Sequence, residues 1–126
     1  MYTYKAIITN VVDGDTFDMD IDLGFHIHIH ERVRLLNVDT PEKFGEEKEL
    51  GLIVKQYAEK MFLGKEVIIN SEKPDVAANT DSFGRWLVEV KVIEYDHYIS
   101  SIYTLKGVNK KYPSYSKENV LKLKTN

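Results

Sequence analysis

A mainly β fold, five short strands closed into a barrel with one helix between the third and fourth, is what the sequence predicts, and three patterns predict it. Apolar and polar residues alternate with period two through the first third of the chain. The period switches to that of a helix from Glu46, and it returns to alternation in two later stretches. With 126 residues, 43% of them hydrophobic and 29% charged, the chain has the length of one domain, spanning 1–126, and a composition that excludes a wholly disordered polymer.

The elements follow in order. Residues 3–12 are a β-branched run that ends at the Asp13-Gly14 turn signal. Phe17, Met19, Ile21 and Leu23 then alternate with Asp18, Asp20 and Asp22, and after Gly24 a second alternation runs through Ile27, Ile29, Val33 and Leu35. Leu50, Ile53, Val54, Tyr57, Ala58 and Met61 share one face of a helix that Gly64 closes. Residues 66–70 form a short strand, 74–83 a polar loop, and 86–93 a strand in which Val88, Val90 and Val92 alternate with Glu89 and Lys91. Tyr98, Ile102 and Leu105 space like a short helix closed by Gly107, and Ser116 caps a last amphipathic piece carrying Val120, Leu121 and Leu123. The order β-β-β-α-β-β, with all strands antiparallel and short C-terminal helices, suits a Greek-key barrel of the OB type, whose closure removes exposed strand edges.

No apolar run approaches the roughly 18 residues of a membrane span, and Met1 leads directly into a strand-like segment, so a cytoplasmic protein without membrane contact is expected. The absence of Cys removes disulfides, thiolate metal sites and thiol nucleophiles together, leaving oxygen or imidazole as metal ligands. The net charge of −3 hides a split: residues 1–105 carry 11 Lys and Arg against 19 Asp and Glu, whereas 106–126 carry six Lys against Glu118 alone. Such a basic end attracts a polyanion, although many charge runs are simply solvated surface.

Two acidic turns carry the candidate chemistry, Asp13-Gly14-Asp15-Thr16 and Val38-Asp39-Thr40-Pro41-Glu42. Carboxylates fixed at strand ends suit a hard cation such as Ca²⁺, which prefers oxygen and tolerates irregular coordination. Taken one at a time, Asp-Gly turns are equally well explained as hairpin connections. Pro41 separates Asp39 from Glu42, so the two should point differently, one free to hold a cation and the other to take a proton from water. Arg34 lies on the polar face of the third strand, away from Ile27, Ile29, Val33 and Leu35. Arg85 opens the last strand, and a closed barrel brings both guanidiniums to one place, where their planar forks match phosphate. His26, His28 and His30 also share a face, but same-face neighbours on a strand stand roughly 6.6 to 7 Å apart, too far for tight chelation. An exposed polar face accounts better for them.

Together, Val12-Asp13-Gly14-Asp15-Thr16, Arg32-Val33-Arg34-Leu35-Leu36-Asn37-Val38-Asp39-Thr40-Pro41-Glu42 and Asp81-Ser82-Phe83-Gly84-Arg85 resemble the staphylococcal nuclease (thermonuclease) family over about residues 5–115. The resemblance implies a Ca²⁺-dependent phosphodiesterase acting on DNA and RNA, with single-stranded or unwound substrate preferred, 3′-phosphate products and a monomeric enzyme. It implies that Asp15, Asp39 and the carbonyl of Thr40 bind the metal, that Glu42 is a general base or water-orienting group, and that Arg34 and Arg85 hold the scissile phosphate. Substrate contacts are expected from Asp81, from Phe83 where a Tyr is common, and from Lys110, Lys111, Tyr112 and Tyr115 by charge and stacking. Three departures stand out: a longer second hairpin at 22–30, a shortened C-terminal helix, and a mobile segment at 43–49 whose Glu46, Glu47 and Glu49 should repel DNA. The competing readings are a catalytically weak or inactive OB-type module that binds nucleic acid or protein, and a metal-binding structural protein built on the His row.

Overall fold

The computed structural model describes residues 2–71 and 85–125. The chain folds as β1 (Tyr2–Asp13), β2 (Thr16–Asp22), β3 (His28–Leu35), a 3-10 turn at Gly45–Glu47, α1 (Lys48–Phe62), β4 (Glu66–Ser71), β5 (Trp86–Val92), β6 (His97–Tyr98), α2 (Ile99–Lys106), α3 (Lys117–Lys122) and a 3-10 turn at Leu123–Thr125. The expected loop at 74–83, with Asp81 and Phe83, lies outside the described residues. β6 has no counterpart in the sequence pattern, because two residues carry no period.

β1 is the spine of the sheet. It pairs antiparallel with β4, Tyr2 opposite Ser71 and Ile7 opposite Glu66, and with β2, Lys5 opposite Asp22 and Asp13 opposite Thr16. Register shifts between Ile8 and Asn10 and between Val11 and Asp13 bend the strand, as an extra residue in a ladder does. β3 lies antiparallel to β2 and β5 antiparallel to β4, and Val33, Arg34 and Leu35 run parallel to Trp86, Leu87 and Val88. The last pairing closes a five-stranded barrel and corrects the all-antiparallel expectation. A ring of five strands cannot alternate direction throughout: β3 and β5 are each two antiparallel steps from β1, so both run its way and must meet in parallel.

The alternation delivers the core. Phe17, Met19 and Ile21 on β2, Val33 and Leu35 on β3, and Val88, Val90 and Val92 on β5 are buried inside. The α1 face at Ile53, Val54, Tyr57, Ala58 and Phe62 covers them, while Leu50 and Met61 are only half-buried. Phe62, one residue beyond the face read from the sequence, is the aromatic hub. Its ring meets Phe17 at 6.3 Å, Tyr57 at 6.3 Å, Tyr95 at 6.5 Å and Tyr103 at 5.9 Å, all edge to face, the arrangement that the ring quadrupoles favour. Gly107 ends α2 at φ 75°, and Ser116 Oγ caps α3 by accepting the Asn119 N–H at 3.1 Å.

The long hairpin departs from its predicted faces. Ile27 and Ile29 are exposed, Ile27 falls outside β3, and Phe25 at the tip stands 94% exposed. Only residues 33–35 of β3 meet β5, so Ile29, opposite buried Ile21, is left at the open rim of the barrel. His28 Nδ1 instead meets Asp20 at 2.9 Å, and Arg32 grips Asp18 at 2.8 and 3.2 Å. The His row is thus paired against the Asp row as an exposed polar face.

One close approach sets the place of the second acidic turn. A Cβ on Gly51 of α1 would collide with the backbone carbonyl of Glu42, so the helix and this turn touch through a glycine. Gly51→Ala is expected to destabilise the fold by about 1 to 3 kcal/mol through overpacking, despite the helix preference for Ala. A urea midpoint equal to or above that of the wild type would refute the contact.

Candidate functional site

The site forms where the β1–β2 turn, the end of β3 and the start of β5 meet at the mouth of the barrel. Asp13 Oδ1 accepts the Asp15 N–H at 3.1 Å, an Asx turn, and the buried Tyr103 hydroxyl of α2 donates to the Gly14 carbonyl at 2.6 Å. A Cβ on Gly14 would lie 2.5 Å from Val54 Cγ1 and 2.7 Å from Thr40 Oγ1. Only glycine lets this turn sit so close to α1 and to the second acidic turn. The result is an Asp15 residue only 8% exposed.

Asp15 and Arg34 organise the rest. Asp15 Oδ2 accepts from Arg34 NH2 at 3.2 Å and from the Thr40 N–H and hydroxyl at 3.3 Å each, and Oδ1 accepts from the Thr16 hydroxyl at 3.2 Å. Arg85 NH1 donates to Thr16 Oγ1 at 3.1 Å. Arg85, Thr16, Asp15 and Arg34 are therefore one hydrogen-bonded series drawn from the residue that precedes β5, from β2, the first turn and β3. Arg34 NH1 donates to the carbonyls of Leu35 and Val38 at 3.0 and 2.9 Å, which holds its plane fixed, and NH2 also lies 3.9 Å from Asp39 Oδ1. Among the described residues the Arg34 Nε–H has no partner, leaving that edge of the fork for an anion.

Burial pushes the Asp15 carboxyl up to about 6 from its ordinary 3.8, with the hydrogen bond and charge of Asp13 adding to the rise and Arg34 and Thr40 opposing it. A carboxylate held away from water beside another carboxylate disfavours its charged form.

The second turn is held from the far end of the chain. Fully buried Asn109 accepts the Asp39 N–H at 3.1 Å through Oδ1 and donates Nδ2 to the Asn37 carbonyl at 3.1 Å, while the Lys110 N–H donates to the Asp39 carbonyl at 2.7 Å. Asp39 turns toward Arg34, whereas Glu42 is exposed and its carboxylate has no partner among the described residues.

Among the described residues, no three His, Cys, Asp or Glu side chains cluster closely enough to hold a metal by themselves. A cation here would rest on Asp15, Asp39, the Thr40 carbonyl and solvent. That donor set fits a hard divalent ion chemically: it is all oxygen, and the two carboxylates converge on one nitrogen, Arg34 NH2, at 3.2 and 3.9 Å. A divalent charge would also relieve the crowding that holds the Asp15 pKa up.

No family model matches the chain, and no curated protein matches it. No helix is long and apolar enough to cross a membrane among the described residues.

The expected substrate contacts are arranged differently from one another. The Lys110 ammonium lies 3.0 Å from both oxygens of Glu47, so it is tied to the acid-rich segment. That segment runs through a bend at 43–44 into the 3-10 turn and the start of α1, so its second half is helical and not the loop expected over the whole of 43–49. Lys111 and Tyr112 are exposed, and Tyr115 is half-buried with a hydroxyl that has no hydrogen-bond partner among the described residues. Asp81 and Phe83 lie outside the described residues. Several contributors have no clear sequence signal. Thr16 sits inside the quoted motif, yet its link to Arg85 depends on barrel closure. Lys43 reaches the Val12 carbonyl at 2.8 Å, and Asn109 and Glu47 sit in unremarkable surroundings, where only tertiary contact reveals them.

The raised Asp15 pKa has a sign that can be tested. Because the folded value lies above the unfolded one, ionised Asp15 destabilises the fold above about pH 6, and the penalty disappears below about pH 4. The stability of Asp15→Asn relative to the wild type is therefore expected to rise by about 1 to 3 kcal/mol between about pH 4 and pH 7.5, at roughly 1.4 kcal/mol per pKa unit. The gain should shrink as pH falls from about 6 to about 4 in thermal melts without divalent cations. A gain independent of pH would assign the effect to another cause.

Proposed function

We propose that this chain is a Ca²⁺-dependent phosphodiester hydrolase of the staphylococcal nuclease type, built on a Greek-key OB barrel and acting on DNA and RNA. The observation that carries the reading is the series from Arg85 through Thr16 and Asp15 to Arg34, with Asp39 beside it. Arg34 bonds Asp15 directly and Arg85 reaches it through the Thr16 hydroxyl, and an exposed carboxylate, Glu42, stands on the adjoining turn.

Each residue then has a role. Arg34 and Arg85 bind the oxygens of the scissile phosphate and stabilise the charge that grows there in the transition state more than in the ground state. Asp15, Asp39 and the Thr40 carbonyl hold Ca²⁺, which when bound supplies further charge stabilisation at phosphorus. Glu42 orients a water and takes its proton as the water oxygen bonds to phosphorus. The bond to the 5′ oxygen breaks, leaving a 3′-phosphate, and the departing 5′ oxygen is protonated from solvent. An ordinary Glu, with a pKa of about 4.3, is ionised but a weak base at neutral pH, so orientation is the larger part of its task. Fixed Arg34 contributes through preorganisation, since its plane is set before substrate arrives. Phe83 would stack on a base, and Tyr112 and Lys111 would flank the strand in a salt-sensitive, sequence-independent manner.

The test is cleavage of heat-denatured DNA with millimolar Ca²⁺, beside the same reaction in chelator. Glu42→Gln is expected to lower kcat by about 10²- to 10³-fold with little change in KM. Arg85→Ala should lower activity and also loosen the start of β5 by releasing Thr16, visible as an earlier urea midpoint. Cleavage that ignores both chelator and Glu42→Gln would refute the mechanism. DNA binding without any cleavage would assign the chain to the non-catalytic binding modules.

A further inference from the structure

The segment 39–47 and the segment 109–111 are joined by more bonds than an exposed turn needs. The Lys110 N–H donates to the Asp39 carbonyl at 2.7 Å, and its ammonium meets both Glu47 oxygens at 3.0 Å. Glu47 Oε1 in turn accepts the Glu42 N–H at 3.4 Å. Asp39, Lys110, Glu47 and Glu42 thus close a ring around the second acidic turn. Buried Asn109 anchors that ring, since its Oδ1 takes the N–H groups of both Asp39 and Lys111, at 3.1 and 3.2 Å. The Gly51 contact presses on the Glu42 carbonyl from the helix side. From these contacts we infer that the Glu47–Lys110 pair is a positioning clasp for Asp39 and Glu42, and that Lys110 acts through this clasp instead of touching substrate phosphate.

The energetics separate this role from a stabilising one. Glu47 and Lys110 side chains are 29% and 31% exposed, and pairs of this exposure contribute little to folding. Their leverage lies in placement. One end of the pair holds the backbone of a proposed metal ligand and the other that of the proposed water-orienting acid, and a displacement of about 1 Å at such groups costs up to about 10²-fold in rate. The same pair neutralises one acid of a segment whose charge would otherwise repel a nucleic acid strand. The catalytic half of this inference rests on the phosphodiesterase reading, whereas the clasp itself does not.

The experiment combines two readouts on the full chain: steady-state cleavage of single-stranded DNA with Ca²⁺, and trypsin nicking after Lys43 without DNA or metal. Glu47→Ala and Lys110→Gln are each expected to lower kcat about tenfold with KM changed less than about twofold. The double variant should be no worse than either single one, as for partners in one interaction. Lys110→Arg, which keeps the ion pair, should retain activity, and both clasp-breaking variants should be nicked several times faster. A rise in KM in Lys110→Gln together with a fall in KM in Glu47→Ala would overturn the proposal in favour of a direct phosphate contact. Unchanged nicking in both variants would overturn the clasp whatever the activity. If the wild type cuts no DNA while the variants are nicked faster, the nuclease reading and its catalytic half fail, and the clasp stands as a structural tie.

Discussion

An odd number of strands in a closed ring imposes one parallel seam, and the site depends on where that seam falls. β3 and β5 meet over only Val33 to Leu35 and Trp86 to Val88, yet this short contact places Arg34 beside the strand that Arg85 opens. Without closure, Arg85 would belong to a separate edge, and Thr16 could not bridge it to Asp15. The seam also ends the exposed hydrogen-bonding edge of the core strands, which protects a small barrel from pairing with other chains. One constraint of topology therefore serves both the fold and the convergence of the groups bonded from Arg85 through Thr16 and Asp15 to Arg34.

The cost of that convergence is concentrated in one carboxylate. Asp15 lies almost out of contact with water, and its donors, Arg34, Thr40 and Thr16, offset only part of the desolvation and of the repulsion from Asp13. A core residue would not be chosen this way, since an apolar side chain there would cost less. A bound cation or a protonation would relieve that cost. The same turn is tied to the core: the Tyr103 hydroxyl of α2 is committed to the Gly14 carbonyl, one residue before Asp15.

Around this centre the chain supplies a second layer of support from its C-terminal third. Asn109 and Lys110 lie just beyond Gly107, whose left-handed conformation ends α2 and turns the backbone toward the acidic turn. The basic end of the sequence is thus only partly available to a polyanion. Lys110 is engaged internally by Glu47, whereas Lys111 and Tyr112 remain on the surface.

Much of this was legible in the residues alone. Alternation identified β2, β3 and β5, a β-branched run identified β1, helical spacing identified α1 and α2, and Ser116 and Gly107 marked real helix ends, because local periodicity and capping depend on neighbours in sequence. Asp15, Arg34, Asp39 and Thr40 stand in two short motifs, and the structure brings them within hydrogen-bonding or ion-pair range of one another. The parallel seam was not legible, since strand direction around a closed ring is a property of the whole sheet. Nor were the exposure of Ile27 and Ile29, the bridging by Thr16 or the engagement of Lys110, because each is decided by which distant segment arrives opposite. The sequence by itself determined the elements and the chemical types of the site. The tertiary structure decided which of those groups meet, since burial and partner choice exist only once the barrel has closed.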